Sequence, residues 1–370
     1  MSAASPSPLT IFLIVARFSI SGVPLAQVRL ARALAAQGHR VTIIFGFAPG
    51  KQPPVVEGVS MRVWDSPKAR GLLCPIMRLL RDEKPDVVFS AEDHLNVLVL
   101  IAALLTGCKA KISASSRVTP YDTYSDNPLD KRWVLKQLTR LTARRANALT
   151  CVSKDMVDQY RAIFGPSDRH QCIYNIVDDP ANRARRDEPV DEPWFRDGGG
   201  PVAVAAGSLQ PWKGFADAID AIALVRDQGH ALRLLILGEG PERGALEAQI
   251  VRLDLKDRIK LVGHVENSMQ YFSRADLFVL SSHVEGLPNV LVEALMCATS
   301  CVATDCPTGP REVLGDGRYG TLVPMRDPVA LAAGMLTALA RPIAPALAAE
   351  AVVPFGVAMV LDQHMRSLGL

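Results

Sequence analysis

Two glutamates, Glu285 and Glu293, flank the start of a predicted helix near the carboxyl end of the chain. The apolar residues 277–280 predict a buried strand, the run Glu285-Gly286-Leu287-Pro288 ends it, and Asn289 is predicted as the N-cap of a helix starting at Val290. The first turn of a helix has unpaired N–H groups and a positive partial charge. This stretch could therefore bind a phosphate or sugar hydroxyls beside two carboxylates.

Short apolar strands alternate with helical patterns along the chain, which is typical of parallel sheets with crossover helices. The predicted strands are residues 11–15, 41–47, 87–90, 111–115, 202–206, 233–237, 259–262, 277–280 and 300–303. A segment rich in Pro, Asp and Gly interrupts the alternation, and a length of 370 residues suits two domains. We expect an α/β protein with two doubly wound, Rossmann-like domains at 1–177 and 201–353, a linker at 178–200, and a final helix at 354–370.

Ligands of such sheets bind beyond the carboxyl ends of the strands, so the loops that follow the strands are the candidate sites. Small or charged residues occur in these loops: Gly22, His94, Arg117, Gly207, Ser208, Lys213, Gly238, Glu239 and His264. A lysine between a strand and a helix is a mobile charge suited to a phosphate. A carboxylate such as Glu293 can accept hydrogen bonds from two neighbouring hydroxyl groups. Taken alone, Lys213 also fits a solvated lysine, and His283 and His264 also fit strand-end residues without a ligand.

Charge is distributed unevenly, although the net charge is only +3. Residues 1–177 carry a net charge of +10 and the remainder carries −7, so the basic half could attract an anionic partner. The seven cysteines include no Cys-x-x-Cys pair, which favours reduced thiols in a cytoplasmic protein. We expect no secretory signal and no membrane-spanning helix, because the apolar runs are too short.

A basic helix is predicted over residues 131–145, with arginines or lysine at 132, 136, 140 and 144 on one side and apolar residues on another. One interpretation is an ordinary solvated face. The other is a helix that binds anionic lipid head groups, which would place the protein on the cytoplasmic face of the membrane. Nucleic acid is not expected as a partner, because interleaved aromatic residues are missing.

Several of these motifs, in this order, resemble the family-4 retaining glycosyltransferases, which use nucleotide sugars and have the GT-B fold. The resemblance covers most of the chain and is more specific in its carboxyl half. It rests on the loop from Gly207 to Gly214, the turn Gly238-Glu239-Gly240-Pro241, the motif from Glu285 to Glu293, and residues 305–312. In the amino half, Ser21-Gly22, residues 85–88 and residues 174–178 occupy corresponding places.

The resemblance implies roles for individual residues. Lys213 would neutralise the donor diphosphate, Glu285 would contact the transferred sugar, and Glu293 would hold the ribose. Backbone N–H groups of the stretch Gly286, Leu287, Pro288, Asn289 and Val290 would contact the transferred sugar. His94 and Arg117 are candidate catalytic residues of the amino domain. The last helix would cross back to that domain, and an interdomain cleft would hold the substrates.

The expected reaction is transfer of a hexose or N-acetylhexosamine, most simply from a UDP-sugar, to a hydroxyl of a glycan or lipid-linked glycan. Such reactions serve cell-envelope or exopolysaccharide synthesis. No Asp-x-Asp metal motif occurs, so no metal or other cofactor is expected. Ser208 stands where the family often has arginine, and Pro24 lacks an N–H. A nucleotide-sugar epimerase or hydrolase, or a non-catalytic nucleotide-sugar-binding protein, therefore stays open.

Overall fold

Two compact units make up the protein in the computed structural model, which describes residues 7–19, 22–50, 53–167 and 169–370. Unit 1 extends to Ile176 and also includes Val357–Leu370, and unit 2 is Val177–Gly356. The predicted residue Ser21 lies outside the described residues. Each unit contains one sheet, so the predicted pair of doubly wound α/β sheets is confirmed.

The sheet of unit 1 is parallel throughout and, within the described residues, has the strand order β3-β2-β1-β4-β5-β6-β7. Its strands are β1 Thr10–Arg17, β2 Arg40–Phe47, β3 Val59–Val63, β4 Val87–Ala91, β5 Lys111–Ser116, β6 Ala148–Cys151 and β7 His170–Cys172. Alternate residues of β1 pack in different cores, with Leu13 in one and Ile14 in the other. Because both faces are covered, this strand is apolar almost throughout.

Helices connect these strands as crossovers. They are α1 Gly22–Ala36, α2 Leu73–Glu83, α3 Asp93–Thr106, α4 Pro120–Thr123, α5 Lys131–Thr142 and α6 Lys154–Phe164. Short 3₁₀ turns occur at Ala69–Leu72 and Ala143–Arg145. Side-chain caps explain where several helices begin: the Ser153 side chain accepts from the Met156 N–H at the start of α6.

Unit 2 repeats the design with the strand order β10-β9-β8-β11-β12-β13, again parallel. Its strands are β8 Val202–Ala206, β9 Arg233–Leu237, β10 Ile259–Gly263, β11 Leu277–Leu280, β12 Ser300–Thr304 and β13 Thr321–Val323. Its helices are α7 Pro180–Arg185, α8 Phe215–Asp227, α9 Arg243–Arg252, α10 Met269–Phe272, α11 Asn289–Met296, α12 Pro310–Val313, α13 Pro328–Ala340 and α14 Pro345–Val352. Short 3₁₀ turns occur at Pro193–Phe195, Pro211–Lys213, Gly315–Gly317 and Val353–Phe355.

The last helix, α15 Val357–Ser367, belongs to unit 1 although it follows unit 2 in the chain. Val360, Leu361 and Leu368 are buried in the same apolar cluster as Leu13 of β1. Burial of such side chains is the main favourable contribution to folding. The core of unit 1 therefore includes side chains from both ends of the described chain.

The segment 178–200, predicted as a linker, packs on unit 2 rather than running free. Arg233 of β9 makes a two-pronged ion pair with Asp197 and stacks over the ring of Trp194 at 5.0 Å. The Lys260 Nζ atom donates to Glu192 at 2.7 Å. Gly200 also packs closely, because a Cβ there would lie 2.5 Å from the carbonyl oxygen of Ala231. The buried Arg233 and the partly exposed Lys260 thus attach this segment to unit 2.

The basic helix differs from its prediction in two respects. Helix α5 ends at Thr142, and a 3₁₀ turn continues to Arg145. Lys136 does not belong to an exposed basic stripe, because its side chain is buried and paired with Asp126. Arg132, Arg140 and Arg144 are exposed. On the predicted apolar side, Val134 and Leu141 keep 48% and 73% of their surface exposed.

Within the described ranges, no single helix is long and apolar enough to span a membrane. Helices α13 and α14, the latter extended to Phe355, reach that length and composition only as a pair, and the pair is bent by 120°.

Candidate active site

The strand order of unit 2 reverses between β8 and β11, which are neighbours in the sheet although two strands separate them in the chain. Loops that leave such a pair of strands diverge to opposite sides of the sheet and open a crevice at the carboxyl ends. The loop after β8 contains Lys213, and the loop after β11 contains Glu285. The two strongest sequence candidates therefore lie at the topological switch point of this sheet.

Lys213 and Glu285 form an ion pair. The Lys213 Nζ atom donates to Glu285 Oε1 at 2.6 Å, and the Ser282 hydroxyl donates to the same oxygen at 2.6 Å. Only 20% of the lysine side chain and 8% of the glutamate side chain are exposed. Among the described residues, Glu285 Oε2 receives no hydrogen bond. A charged oxygen in this position is available to a ligand.

The backbone positions Lys213 through direct bonds between the two loops. The Ser281 hydroxyl donates to the carbonyl oxygen of Lys213 at 2.9 Å, and the His283 N–H donates to that of Trp212 at 2.7 Å. Gly214 follows in the left-handed region at φ +62°, and a Cβ there would lie 2.0 Å from the Ser281 carbonyl oxygen. Only glycine permits both the turn and this close approach.

Hydroxyl groups from the next loop hold the backbone of the Glu285 loop. The Thr308 hydroxyl donates to the carbonyl oxygen of Glu285, and the Thr304 hydroxyl donates to that of Ser282. A Cβ at Gly309 would lie 2.6 Å from Pro288 Cδ. Thr308 and Gly309 belong to residues 305–312, which resemble a family motif. This segment therefore holds the backbone of the loop that carries the Glu285 carboxylate. Burial in this region raises the pKa of the Cys306 thiol to about 12, so this cysteine stays neutral.

Helix α11 begins one residue earlier than expected. Asn289 was predicted as the N-cap, but it is the first helical residue, Pro288 occupies the N-cap, and no side chain caps the helix. Proline takes this place because its φ is fixed and it needs no N–H acceptor. Glu293 lies in this helix, is 7% exposed, and its Oε2 lies 3.4 Å from the Ser268 hydroxyl.

Backbone hydrogen bonds join the loop after β8 to the loop after β9, and the loop after β9 to the end of β10. The Leu209 N–H donates to the carbonyl oxygen of Glu239 at 3.0 Å, and the Gly238 N–H donates to that of Gly263 at 2.8 Å. A Cβ at Gly238 would lie 1.8 Å from the carbonyl oxygen of Gly207. These contacts bring together four predicted residues, which are Gly207, Ser208, Gly238 and Glu239. His264 directly follows the adjacent strand β10. Ser208 and His264 are exposed.

The predicted residues of unit 1 form a separate group. Gly22 is the first residue of α1, His94 follows β4, and Arg117 follows β5. Arg117 donates to the Asn175 side chain. Burial lowers the pKa of this guanidinium to about 10, so the group stays charged at neutral pH. His94 and Arg117 both lie near Glu92, whose Oε2 is 3.4 Å from His94 Nε2.

Sequence reasoning assigned no role to Ser282, Thr308 or Glu92. Ser282 could have been noticed in the sequence because two adjacent serines, Ser281 and Ser282, follow β11. A serine hydroxyl can donate a hydrogen bond to a neighbouring carboxylate. Thr308 and Glu92 both have positive φ, +71° and +83°. A positive φ in a residue other than glycine cannot be seen from residue type, so these two positions had no sequence signal.

Comparison with known proteins finds two matching family models, which together cover most of the chain. Residues 20–179 match the model described as Glycosyltransferase Family 4, and residues 200–341 match Glycosyl transferases group 1. The chain is 28% identical over 265 residues to N-acetylgalactosamine-N,N'-diacetylbacillosaminyl-diphospho-undecaprenol 4-alpha-N-acetylgalactosaminyltransferase of Campylobacter jejuni, covering 71% of this chain and 69% of that protein. It is 22% identical to N-acetyl-alpha-D-glucosaminyl L-malate synthase of Bacillus anthracis, over 85% and 83% of the two chains.

Solved structures share the fold at low identity. Anabaena Alr3699/HepE in complex with UDP and glucose superposes with a TM-score of 0.74 and 18% identity, over 97% of this chain and 99% of that one. A glycosyltransferase from Rickettsia africae gives a TM-score of 0.75 at 16% identity, over 97% and 98%. With the two family models and the paired sheets, these similarities show that the chain is a glycosyltransferase of family 4 with the GT-B fold.

Proposed function

We propose that this glycosyltransferase moves a hexose or N-acetylhexosamine from a UDP-sugar to a hydroxyl of a glycan or lipid-linked glycan, with retained anomeric configuration. The observation that carries the proposal is the Lys213–Glu285 pair at the switch point of unit 2, beside the start of α11. Retention is proposed from the family to which the chain belongs. UDP is proposed because it is bound in structural neighbours such as Alr3699/HepE.

The chemistry proposed for these groups follows from their charges. The bond from the anomeric carbon to the diphosphate oxygen breaks, a bond to the acceptor oxygen forms, and the acceptor proton passes to the departing diphosphate. Lys213 neutralises charge that grows on the diphosphate. Glu285 Oε2 accepts a hydroxyl of the transferred sugar, and the buried Glu293 accepts the ribose hydroxyls.

The acceptor class is proposed from the names of relatives. The relative from Campylobacter jejuni is named for a glycan carried on diphospho-undecaprenol. A Rhizobium meliloti relative, 30% identical over 146 residues, is named for lipopolysaccharide core biosynthesis. We therefore propose a role in the cell envelope or in exopolysaccharide synthesis.

The proposal is tested by adding UDP and a panel of UDP-sugars to the purified protein. A ligand at a hundred times its Kd should stabilise the native state by about 2.7 kcal/mol, measured as a rise in Tm. The sugar that gives this rise should then be transferred to a glycan acceptor, with the anomeric configuration read by NMR. Release of free sugar or an isomerised donor would instead indicate a hydrolase or epimerase. Binding without turnover on any glycan would indicate a binding protein.

Transfer should persist when divalent metal is removed. The reason is that Lys213 lies where charge on the diphosphate must be neutralised, which is the role a metal ion has in other transferases. The measurement is the turnover rate in excess EDTA, with an added Mg²⁺ or Mn²⁺ series as the control. Loss of turnover in EDTA that either ion restores would contradict the assignment to Lys213.

We also propose that unit 1 binds anionic membrane through the surface around α5. Its support is a set of exposed cations, Arg132, Arg140 and Arg144, next to the exposed apolar side chains Val134 and Leu141. Cations attract anionic head groups, and apolar side chains can insert beneath them. The proposed location is the cytoplasmic membrane face, in agreement with seven cysteines that are all unpaired.

The double variant Arg140→Ala with Arg144→Ala should bind anionic liposomes about thirtyfold more weakly than the wild type, because each cation near the surface contributes about 1 kcal/mol. Co-sedimentation with phosphatidylglycerol vesicles measures this. The charge-matched control is Arg252→Ala with Lys256→Ala on exposed positions of unit 2, which should bind as the wild type does. Equal binding to neutral vesicles, or equal loss in both double variants, would refute the membrane proposal.

A further inference from the structure

Unit 1 has its own topological switch point, between β1 and β4, and no role has been assigned to the carboxylate there. These strands are neighbours in the sheet although two strands separate them in the chain. Switch points are where open parallel sheets bind their ligands. In unit 2 the equivalent pair, β8 and β11, leads to Lys213 and Glu285. In unit 1 the residue that follows β4 is Glu92.

Glu92 has a backbone conformation that glutamate rarely adopts, with φ +83° and ψ 130°. This combination brings Cβ close to the backbone and is normal only for glycine. Strained residues of this kind persist where the surrounding structure forces them, and they cluster at binding and active sites. Glycine at this position would fit the backbone better, so the side chain itself has to be the reason for glutamate.

The network around Glu92 explains how the strain is maintained. The Glu92 N–H donates to the carbonyl oxygen of Ser115 at 3.0 Å, and its own carbonyl oxygen accepts from the N–H groups of Leu95 and Asn96. The Asn96 side chain donates to the Ser115 carbonyl oxygen at 2.9 Å and accepts from the Ser90 hydroxyl. The ends of β4 and β5 and the start of α3 are thereby fixed together.

The neighbouring Asp93 anchors the same loop in the interior. It is buried and accepts hydroxyl hydrogens from Ser116 at 2.8 Å, Tyr124 at 2.7 Å and Tyr160 at 3.0 Å. Burial raises the pKa of this carboxyl, and the three hydroxyl donors oppose the rise. The Asp93 carboxylate is therefore buried and held by structural hydrogen bonds, whereas the Glu92 carboxylate is partly exposed.

The Glu92 side chain lies in a mixed environment, one-third exposed. His94 Nε2 is 3.4 Å from its Oε2, and Arg117 is close enough to favour its charged form. Burial raises the pKa of Glu92, which the two basic groups partly offset. A carboxylate with an imidazole and a guanidinium offers acceptors and donors together. That combination suits a polyhydroxyl compound, whose hydroxyls both donate and accept, better than a phosphate, which the carboxylate would repel.

We propose that Glu92 is a specificity-determining residue for the acceptor, whose carboxylate accepts hydrogen bonds from hydroxyls of the sugar residue that receives the transferred sugar. This inference rests on the proposed transfer to a glycan hydroxyl. It names a contact for the second substrate within unit 1, and it explains why a strained glutamate is kept where glycine would be more stable.

The test uses two substitutions in the full-length protein. Glu92→Gln keeps the shape and removes the charge, so the KM for the acceptor should rise about ten- to hundredfold, with the Kd for the donor unchanged within about twofold. Glu92→Gly removes the side chain and relieves the strain, so the same loss in acceptor use should accompany a rise in Tm of about 2 °C.

Lys84→Gly is the matched control, because Lys84 also has positive φ in unit 1 and lies before β4 rather than after it. It should not change acceptor kinetics. If wild type transfers the sugar and Glu92→Gln has an unchanged KM for the acceptor, the inference is wrong while the proposed function stands. If the wild type transfers to no glycan hydroxyl, both are wrong. A fall in Tm for Glu92→Gly would show that Glu92 is kept for structure.

Discussion

Glu285→Gln is expected to reduce the rate of sugar transfer by about a thousandfold, while the Kd for UDP stays within about threefold of the wild-type value. Glutamine keeps the size and the oxygen that Ser282 contacts, but it carries no negative charge. In the proposed reaction the anomeric centre becomes positive as the diphosphate leaves, so a lost charge matters more in the transition state than in the bound donor. Steady-state kinetics and UDP titration measure the two effects separately.

Glu247→Gln provides the matched control for this substitution. Glu247 is an exposed glutamate of α9 that pairs with Arg243 at 3.1 Å, and its replacement should leave transfer within about twofold. Wild-type turnover in Glu285→Gln would remove the carboxylate from the mechanism. Equal weakening of UDP binding and transfer would show that Glu285 contributes uniform binding rather than transition-state stabilisation.

Lys213→Met is expected to slow transfer by about a hundredfold and to weaken UDP binding by about tenfold, because the diphosphate loses its nearest cation. It should also lower the free energy of unfolding by about 2 kcal/mol. The reason is that Glu285, only 8% exposed, would lose its cationic partner. Urea denaturation measures the stability, and the kinetics are measured with the same preparation.

The double variant Lys213→Met with Glu285→Gln distinguishes the two effects. Removing both charges should recover most of the lost stability and none of the lost transfer, with a coupling energy of about 1–2 kcal/mol in a double-mutant cycle. Lys256→Met, an exposed lysine of the same unit, serves as the charge-matched control and should affect neither property. Additive losses of stability in the double variant would show that the ion pair makes no net contribution.

The central strands of both sheets could be predicted because they are apolar on both faces. β1, β8 and β11 are buried along almost their entire lengths. Strands β3, β6, β7 and β13 were not predicted. β7 has only three residues, His-Gln-Cys, and pairs on one side with β6. β3, β7 and β13 are edge strands and β6 lies next to one. Short strands in these places carry little periodic signal.

The loops of the candidate site in unit 2 could be predicted in outline, because glycines and charged residues follow several of the predicted strands. Details that depend on tertiary contacts could not be predicted from the sequence. The pairing of Lys136 with Asp126 depends on a loop ten residues away in the sequence, whereas the helical pattern alone places this lysine on a surface. Likewise, the strain at Glu92 is imposed by Ser115 and α3. Neither contact can be inferred from residue type alone.

The position of α15 has a consequence for the order in which the protein can be assembled during synthesis. Unit 2 is a continuous stretch, Val177–Gly356, so all of it is synthesised before α15. Unit 1 begins earlier, but Val360, Leu361 and Leu368 complete its core. Nascent chains generally fold domain by domain from the amino end. In this protein, synthesis of unit 1 begins first, but the core of unit 1 becomes complete only after all of unit 2 has been synthesised.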